Sequence, residues 1–445
     1  MSAPVAPPGV YPKITYRRTR LFAAGSVALA MSGINASLRA NTAADLQRIF
    51  LDPIDKVRSA EMIGSILGLP FLGYAVTIAI GSPLLDYIGM GLLLPLSGIL
   101  MSIGMLIMIF AGDLASGAAV YSVLWTGALV TGIGWGLVET VTNPMVAALY
   151  PDEKTSKLNA VHAWWPGGLV IGGLLGVGMS HWGMGWQLKL AVVFIPAVLL
   201  VILCSGLKFP PTERAAAGIS AKEMFRELAN PLFFVLFASM FLTAASELAP
   251  GQWVDLALSR TVHMPGILLL VYVSGLMFLM RHFAGPLVHK LSAIGVLWFS
   301  CVGAALGLVA LSVANSPVTA LLAATIWGVG VCYMWPTMLA TASERFPRGG
   351  ALLMGLMGTA GTLSIQFVLP IMGAIFDHKK VEVAGGDAAF KALQPGPELD
   401  RILGIAAQTS FRDVAILPAI LLAVFAAIWF YDRSRGGYRA EKLTR

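Results

Sequence analysis

Cysteine is almost absent from this chain. The three present, Cys204, Cys301 and Cys332, sit in apolar runs without paired spacing, which excludes a disulfide framework and leaves them packing roles. Histidine is as sparse: the six are scattered and none makes the two-histidine helical spacing of a zinc enzyme, so no metal is expected. Charge is the third scarcity. Only 12% of residues are charged against 57% hydrophobic, and the mean hydropathy of +0.79 excludes a soluble globular domain. No nucleophile or metal constellation accompanies the acids inside apolar segments, so no catalytic residue is assigned and an enzyme is not expected.

Long apolar runs are what the chain has in abundance. Twelve recur, at 21–46, 61–81, 90–111, 118–149, 157–179, 187–206, 231–256, 265–286, 294–314, 318–343, 350–376 and 410–430. They match the roughly 20 residues that cross about 30 Å of hydrocarbon as a helix. Barrel strands would show about ten residues of alternating polarity between turns, and no such alternation occurs. The expected class is an all-α membrane protein with twelve transmembrane helices.

Lys and Arg set the expected orientation. With the N-terminus inside, the cytoplasmic side collects Lys13, Arg17, Arg18, Arg20, Lys154, Lys157, Lys208, Arg214, Lys222, Arg226, Arg281, Lys290, Arg345, Arg348 and the basic C-terminal tail. The other side collects fewer, several of them (Lys379, Lys380, Lys391) in an expected long loop over 377–409. Both termini are therefore expected in the cytoplasm, with the chain in a bacterial inner membrane. The net charge of +7 lies in short loops and tails, where it sets topology and meets anionic headgroups, so nucleic acid is not an expected partner. The first apolar run is too long for a signal peptide and lacks a cleavage site, so it is expected to stay as a helix.

The clearest break is 207–230, where Lys208, Pro210, Pro211, Glu213, Arg214, Lys222, Glu223, Arg226 and Glu227 interrupt the apolar pattern and divide six spans from six. The expected organisation is a tail 1–20, a six-helix bundle 21–206, a cytoplasmic linker 207–230, a second six-helix bundle 231–430 and a basic tail 431–445. Features recur between the halves: Gly132, Gly134 and Pro151 match Gly328, Gly330 and Pro347, all 196 residues apart. Pro83-Leu-Leu-Asp-Tyr after span two is echoed by Pro286-Leu-Val-His-Lys after span eight, 203 residues on. Two pseudo-symmetric six-helix bundles around a midplane site resemble the major facilitator superfamily.

Span four carries the most informative stretch, Gly132-Ile-Gly-Trp-Gly-Leu-Val-Glu139-Thr-Val-Thr-Asn143-Pro144. A carboxylate in a membrane span is expensive and marks function by default. Helical spacing puts Trp135, Glu139 and Asn143 on one face, lining a polar cavity, while Gly132 and Gly136 allow another helix close approach on a neighbouring face. An acid withdrawn from water can alternate between charged and neutral forms, as proton coupling requires. Protonated, Glu139 can donate to a sugar hydroxyl, with the Asn143 amide and the flat face of Trp135 beside it.

Gly134, Glu139, Asn143 and Pro144, followed by Lys157-Leu158-Asn159, resemble the fucose permease family of sugar:proton symporters. There the fourth helix carries a glutamate followed four residues later by Asn-Pro, and the fifth opens with Arg-Leu-Asn; Lys157 keeps that charge. The resemblance implies symport of a monosaccharide, fucose or a related hexose, by alternating access, with the proton as coupling ion and no cofactor. It also implies a proton-linked aspartate late in the first helix, where Asp45 stands. The family's Asn-rich run before that aspartate is altered to Asn35-Ala-Ser-Leu-Arg39-Ala-Asn41, with Arg39 the main departure. The superfamily's latch between spans two and three keeps Asp86 and Gly89 but loses its flanking basic residues, leaving Asp86 as a gating candidate.

Arg39 shares a helix face with Asn35 and needs an anionic partner. The expected one is internal, Glu139 or Asp45; the alternative is the carboxylate of an acidic substrate. In the second half Glu247 and Gly251 share a face with Gln252 nearby, while Tyr333 and Trp335 precede Pro336, and Trp335 stands 196 residues after Glu139 as a stacking candidate. His162 is a candidate substrate contact. Trp164 and Trp165 are read as interfacial anchors, and Arg281, His282 and Lys290 as topology or gating residues capping span eight. The runner-up reading is a proton-coupled exporter or importer of organic anions, such as sugar acids, or of drugs. The expected partners are a small molecule and the lipid bilayer, around a monomer.

Overall fold

The computed structural model describes residues 16–55, 59–261, 266–394 and 396–443, the side chains of 60–61, 251–261, 266–268, 270, 369–370 and 373 aside. Lys13 and the tail residues 1–15 and 444–445 lie outside the described residues. Everything of length is helix. Among the described residues, eleven helices are long and apolar enough to cross a membrane. A twelfth, Gly266–His282, is 17 residues long and occupies the eighth place. In chain order they are α1 (Arg18–Asp55), α2 (Ser59–Ile88), α3 (Met90–Ile109), α4 (Ala119–Leu149), α5 (Lys154–His181), α6 (Trp186–Cys204), α7 (Pro231–Thr261), α8 (Gly266–His282), α9 (Ala284–Leu311), α10 (Pro317–Arg345), α11 (Gly350–Ala384) and α12 (Pro397–Ser434).

The packing repeats at an interval of six helices. In the first half α1 packs on α5 and α6, and α4 packs between α2 and α3; in the second, α7 packs on α11 and α12, and α10 between α8 and α9. Small residues permit the closest approaches. A Cβ on Gly33 of α1 would fall 2.2 Å from the Trp165 carbonyl oxygen, and one on Gly168 of α5 2.2 Å from that of Ala30. The halves meet where α2 lies on α11 and α5 on α8.

Polar sequence ends the first half and starts the second. Thr212 caps the short helix Glu213–Ala216, and Ser220 and Glu223 form a reciprocal capping box on Ala221–Arg226. Arg20 at the start of α1 reaches the carbonyls of Ile202 and Ser205 at the end of α6, so the chain's described N-terminal end lies at this linker side.

Two expected boundaries are corrected. The long loop over 377–409 is mostly helix: α11 runs on to Ala384 and α12 already starts at Pro397. These stretches are amphipathic, polar enough to escape a hydropathy reading yet with an inner face (Ile402, Ala406, Ala407, Phe411) packed in the core. The ninth helix begins at Ala284 and bends at Ser292, whose φ of 62° lies in the left-handed region, two residues before the expected span start.

Candidate functional site

Glu139 and Asn143 lie one turn apart on α4, 4% and 1% exposed. The Asn143 amide donates to Glu139 Oε2 at 2.9 Å, which turns its own oxygen toward His162; the His162 Nε2 donates to it at 2.7 Å. The same ring nitrogen stands 3.8 Å from Glu139 Oε2. Sequence spacing put Glu139 and Asn143 on one helix face, where the first of these contacts forms. It did not foresee the second, because His162 comes from another helix.

Prolines break α5 and α10 and create the other half of the site. Pro166 has no N–H for the carbonyl four residues back, that of His162, and Pro336 leaves the carbonyl of Cys332 free in the same way. One side chain, Arg281 of α8, answers both. Its Nη1 donates to the His162 carbonyl at 3.1 Å and its Nε to that of Cys332 at 2.5 Å. Its Nη2 donates to Glu247 Oε1 of α7 at 2.7 Å, and the second Glu247 oxygen accepts the Trp335 backbone N–H at 3.0 Å. The break in α10 frees that amide as well. Arg281, in the last turn of α8 as expected, is thus buried, 2% exposed, and joins the halves.

The aromatic residues are arranged differently from expectation. Trp165 is no interfacial anchor: it stacks on Trp135 with ring centroids 6.4 Å apart and planes 9° apart. Trp164 packs edge-on against Phe278 at 5.3 Å, across the halves. Both point inward because α5 packs between α1 and α8. Tyr74 and Phe71 of α2, absent from the sequence reading, close on Trp135 at 4.9 and 5.4 Å. Tyr333 donates its hydroxyl to the Met280 carbonyl at 3.0 Å, and Trp335 packs its ring toward Gly361 of α11. The Gln252 side chain lies outside the described residues.

The expected pairing of Arg39 with Glu139 or Asp45 is not formed. Arg39 Nε instead donates to Asn35 Oδ1 at 2.7 Å. Asp45 sits near the other end of α1, a third exposed, and pairs with Arg48 at 3.1 Å. It is not brought together with Glu139, because the turn that carries it is the polar end of the helix. Asp86, in the last turn of α2, is held by the linker: it accepts from Thr212 Oγ1 at 2.7 Å and pairs with Arg214.

Further ties cross between halves at the linker side. Thr155 donates to Glu344 Oε1 at 2.6 Å, Asn159 to Thr337 Oγ1 at 3.1 Å and Lys154 to the Ser343 carbonyl at 3.3 Å. The C-terminal tail adds Lys442 on Asp152 at 2.7 Å.

Comparison with known families and structures decides what such a molecule is. The family model described as Major Facilitator Superfamily matches residues 20–368. The chain belongs to the major facilitator superfamily. It is accordingly a multi-pass membrane transporter and not an enzyme. Its fold is similar to that of the proton:xylose symporter XylE bound to 6-bromo-6-deoxy-D-glucose, with a TM-score of 0.70, 15% identity, and coverage of 92% of this chain and 95% of that one. It is similar also to the Escherichia coli fucose:proton symporter FucP, with a TM-score of 0.62 and 16% identity over 89% of this chain and 98% of that one. A human organic anion transporter matches with a TM-score of 0.67 and 13% identity, over 92% of this chain and all (100%) of that one. In sequence, a monosaccharide-sensing protein of Arabidopsis thaliana is 30% identical over 142 residues, which span 32% of this chain and 18% of the relative's length.

Proposed function

We propose that this transporter is a proton-coupled symporter of a monosaccharide, with Glu139 as the proton carrier. One observation carries the reading: of the two acids buried at the site, Glu247 is ion-paired with Arg281, whereas Glu139 contacts an amide and an imidazole and forms no ion pair with an arginine or lysine among the described residues. A carboxylate without a full counter-charge can lose and regain a proton as the cavity opens to one side and then the other. Glu247, paired with Arg281, serves as a fixed post for it.

Trp135, Trp165, Asn143 and His162 supply the flat faces and hydrogen-bonding edges that a pyranose ring engages. The ties around Glu344, Thr337 and Ser343 close the linker side, and transport requires them to break and re-form. Asp86, held by the linker, is the gating partner of that rearrangement. Both termini are placed in the cytoplasm, the protein in an inner membrane, and the working unit is a monomer that uses no cofactor. The similarity to sugar:proton symporters supports the substrate class at the level of fold.

The test is sugar uptake into proteoliposomes with an imposed proton gradient, with a pH-sensitive dye inside. Co-movement of protons and a monosaccharide at a fixed ratio is the expected result. Sugar flux indifferent to the gradient, or protection of cells against drugs without sugar flux, would overturn it.

A further inference from the structure

Arg39 lies inside a membrane span, 4% exposed, and no carboxylate of the described residues pairs with it. Other guanidiniums withdrawn from water in this chain are each matched by an acid: Arg214 by Asp86, Arg281 by Glu247 and Arg345 by Asp432. Arg39 spends its Nε on Asn35 Oδ1, and its Nη1 stands 3.5 Å from the Leu67 carbonyl oxygen, at the limit of a hydrogen bond. The outer edge of the fork is left without a protein acceptor among the described residues. An unmatched cation at this depth is expensive unless an anion visits it.

Unpartnered polar atoms accompany it, among them the Asn41 Oδ1 and the Tyr74 hydroxyl as well as several donors. Asn35 Nδ2, Trp135 Nε1 and Trp165 Nε1 are buried donors without a partner. They belong together: Gly33 brings the α1 turn before Asn35 onto the carbonyl of Trp165, and Trp165 stacks on Trp135. A cation and several N–H groups with no acceptor to receive them define a ligand rich in oxygen acceptors and negatively charged at one end. A neutral hexose satisfies the N–H groups but not the guanidinium. A phosphate ester carries nearly two negative charges at neutral pH and would leave one unmatched. A carboxylate fits the guanidinium fork in charge and in shape.

We propose that the transported monosaccharide is a sugar acid, whose carboxylate binds Arg39 while its hydroxyl and ring oxygens accept from Asn35, Trp135 and Trp165. This rests on the sugar-transport reading above and narrows it. Asn35 acts through Arg39 as well as directly, since its oxygen fixes the direction of the fork.

The experiment compares radiolabelled D-glucuronate, D-galacturonate and D-gluconate with D-glucuronamide and L-fucose in proton-driven uptake, and reads binding by tryptophan fluorescence. Glucuronamide differs from glucuronate only at the carboxylate, so the wild-type protein alone gives the answer. Binding of at least one acid tighter than glucuronamide by about tenfold or more is expected, the usual worth of a hydrogen bond to a charged group. Arg39→Gln should abolish the difference between acid and amide, and Arg39→Lys should retain part of it. Glucuronamide or L-fucose bound and transported as well as the acids would overturn the proposal and leave neutral-sugar symport standing. Proton-driven uptake of none of the five would overturn the symport reading as well.

Discussion

Arg281 shows how much one side chain can hold together. It satisfies two carbonyls that prolines strip of their partners, in helices of opposite halves, and neutralises Glu247. Replacing it by leucine leaves an uncompensated buried acid, a change worth about 3–5 kcal/mol. The Arg281→Leu protein should therefore melt well below wild type in detergent. The double variant Arg281→Leu/Glu247→Leu should recover part of that loss but not all, since the carbonyls of His162 and Cys332 remain unpaired. A single variant as stable as wild type would show that the pair is not structural. At this scale the sequence was legible within a helix and illegible between helices. Glu139 and Asn143 are one turn apart in the chain and were read together; Glu247 and Arg281 are 34 residues apart and were read as separate features. Arg39 was given an internal partner because a buried cation needs one, and the structure denies it that partner.

Elements are governed by glycine and proline. Gly168 lets α5 touch the backbone of α1, and a Cβ there would collide with the Ala30 carbonyl. Gly168→Val should force the helices apart, costing about 1–3 kcal/mol or more, whereas Gly64→Ala, with nothing within 4 Å of the new atom, should change stability by under about 0.5 kcal/mol. Melting of the two variants side by side checks both, and equal effects would refute the close-packing account. Apolar length located the membrane helices well because the bilayer imposes it. It failed over 377–409, where the helix is amphipathic, and it placed Trp164 and Trp165 at an interface because hydropathy does not say which way a helix faces.

The whole molecule is two matching bundles closed against each other on the linker side. Glu344 ties that closure together, accepting from Thr155 of the other half and from Tyr438 of the tail. Glu344→Ala should loosen the linker side, so that a thiol introduced by Thr337→Cys reacts several-fold faster with a hydrophilic maleimide. An unchanged rate would place the closure elsewhere. The tail contact of Lys442 with Asp152 is exposed on both sides; the hydrogen bond and charge of Lys442 hold the Asp152 carboxyl below its usual range. That tie is present above the ordinary carboxylate range and fades as pH falls through the lowered value, and salt screens it. The repeat at 196 residues made the two-bundle plan legible in the sequence and the latch motif pointed to Asp86, whereas the tie of Thr155 to Glu344 joins residues nearly two hundred positions apart and left no trace there.

The central claim is that Glu139 carries the proton. Counterflow exchange and gradient-driven accumulation, measured on the same proteoliposomes for wild type and Glu139→Gln, separate proton coupling from substrate binding. Glutamine keeps the size and the hydrogen bonds but cannot ionise, so exchange should persist while accumulation against a gradient falls to background. Accumulation at the wild-type level by Glu139→Gln would contradict the account.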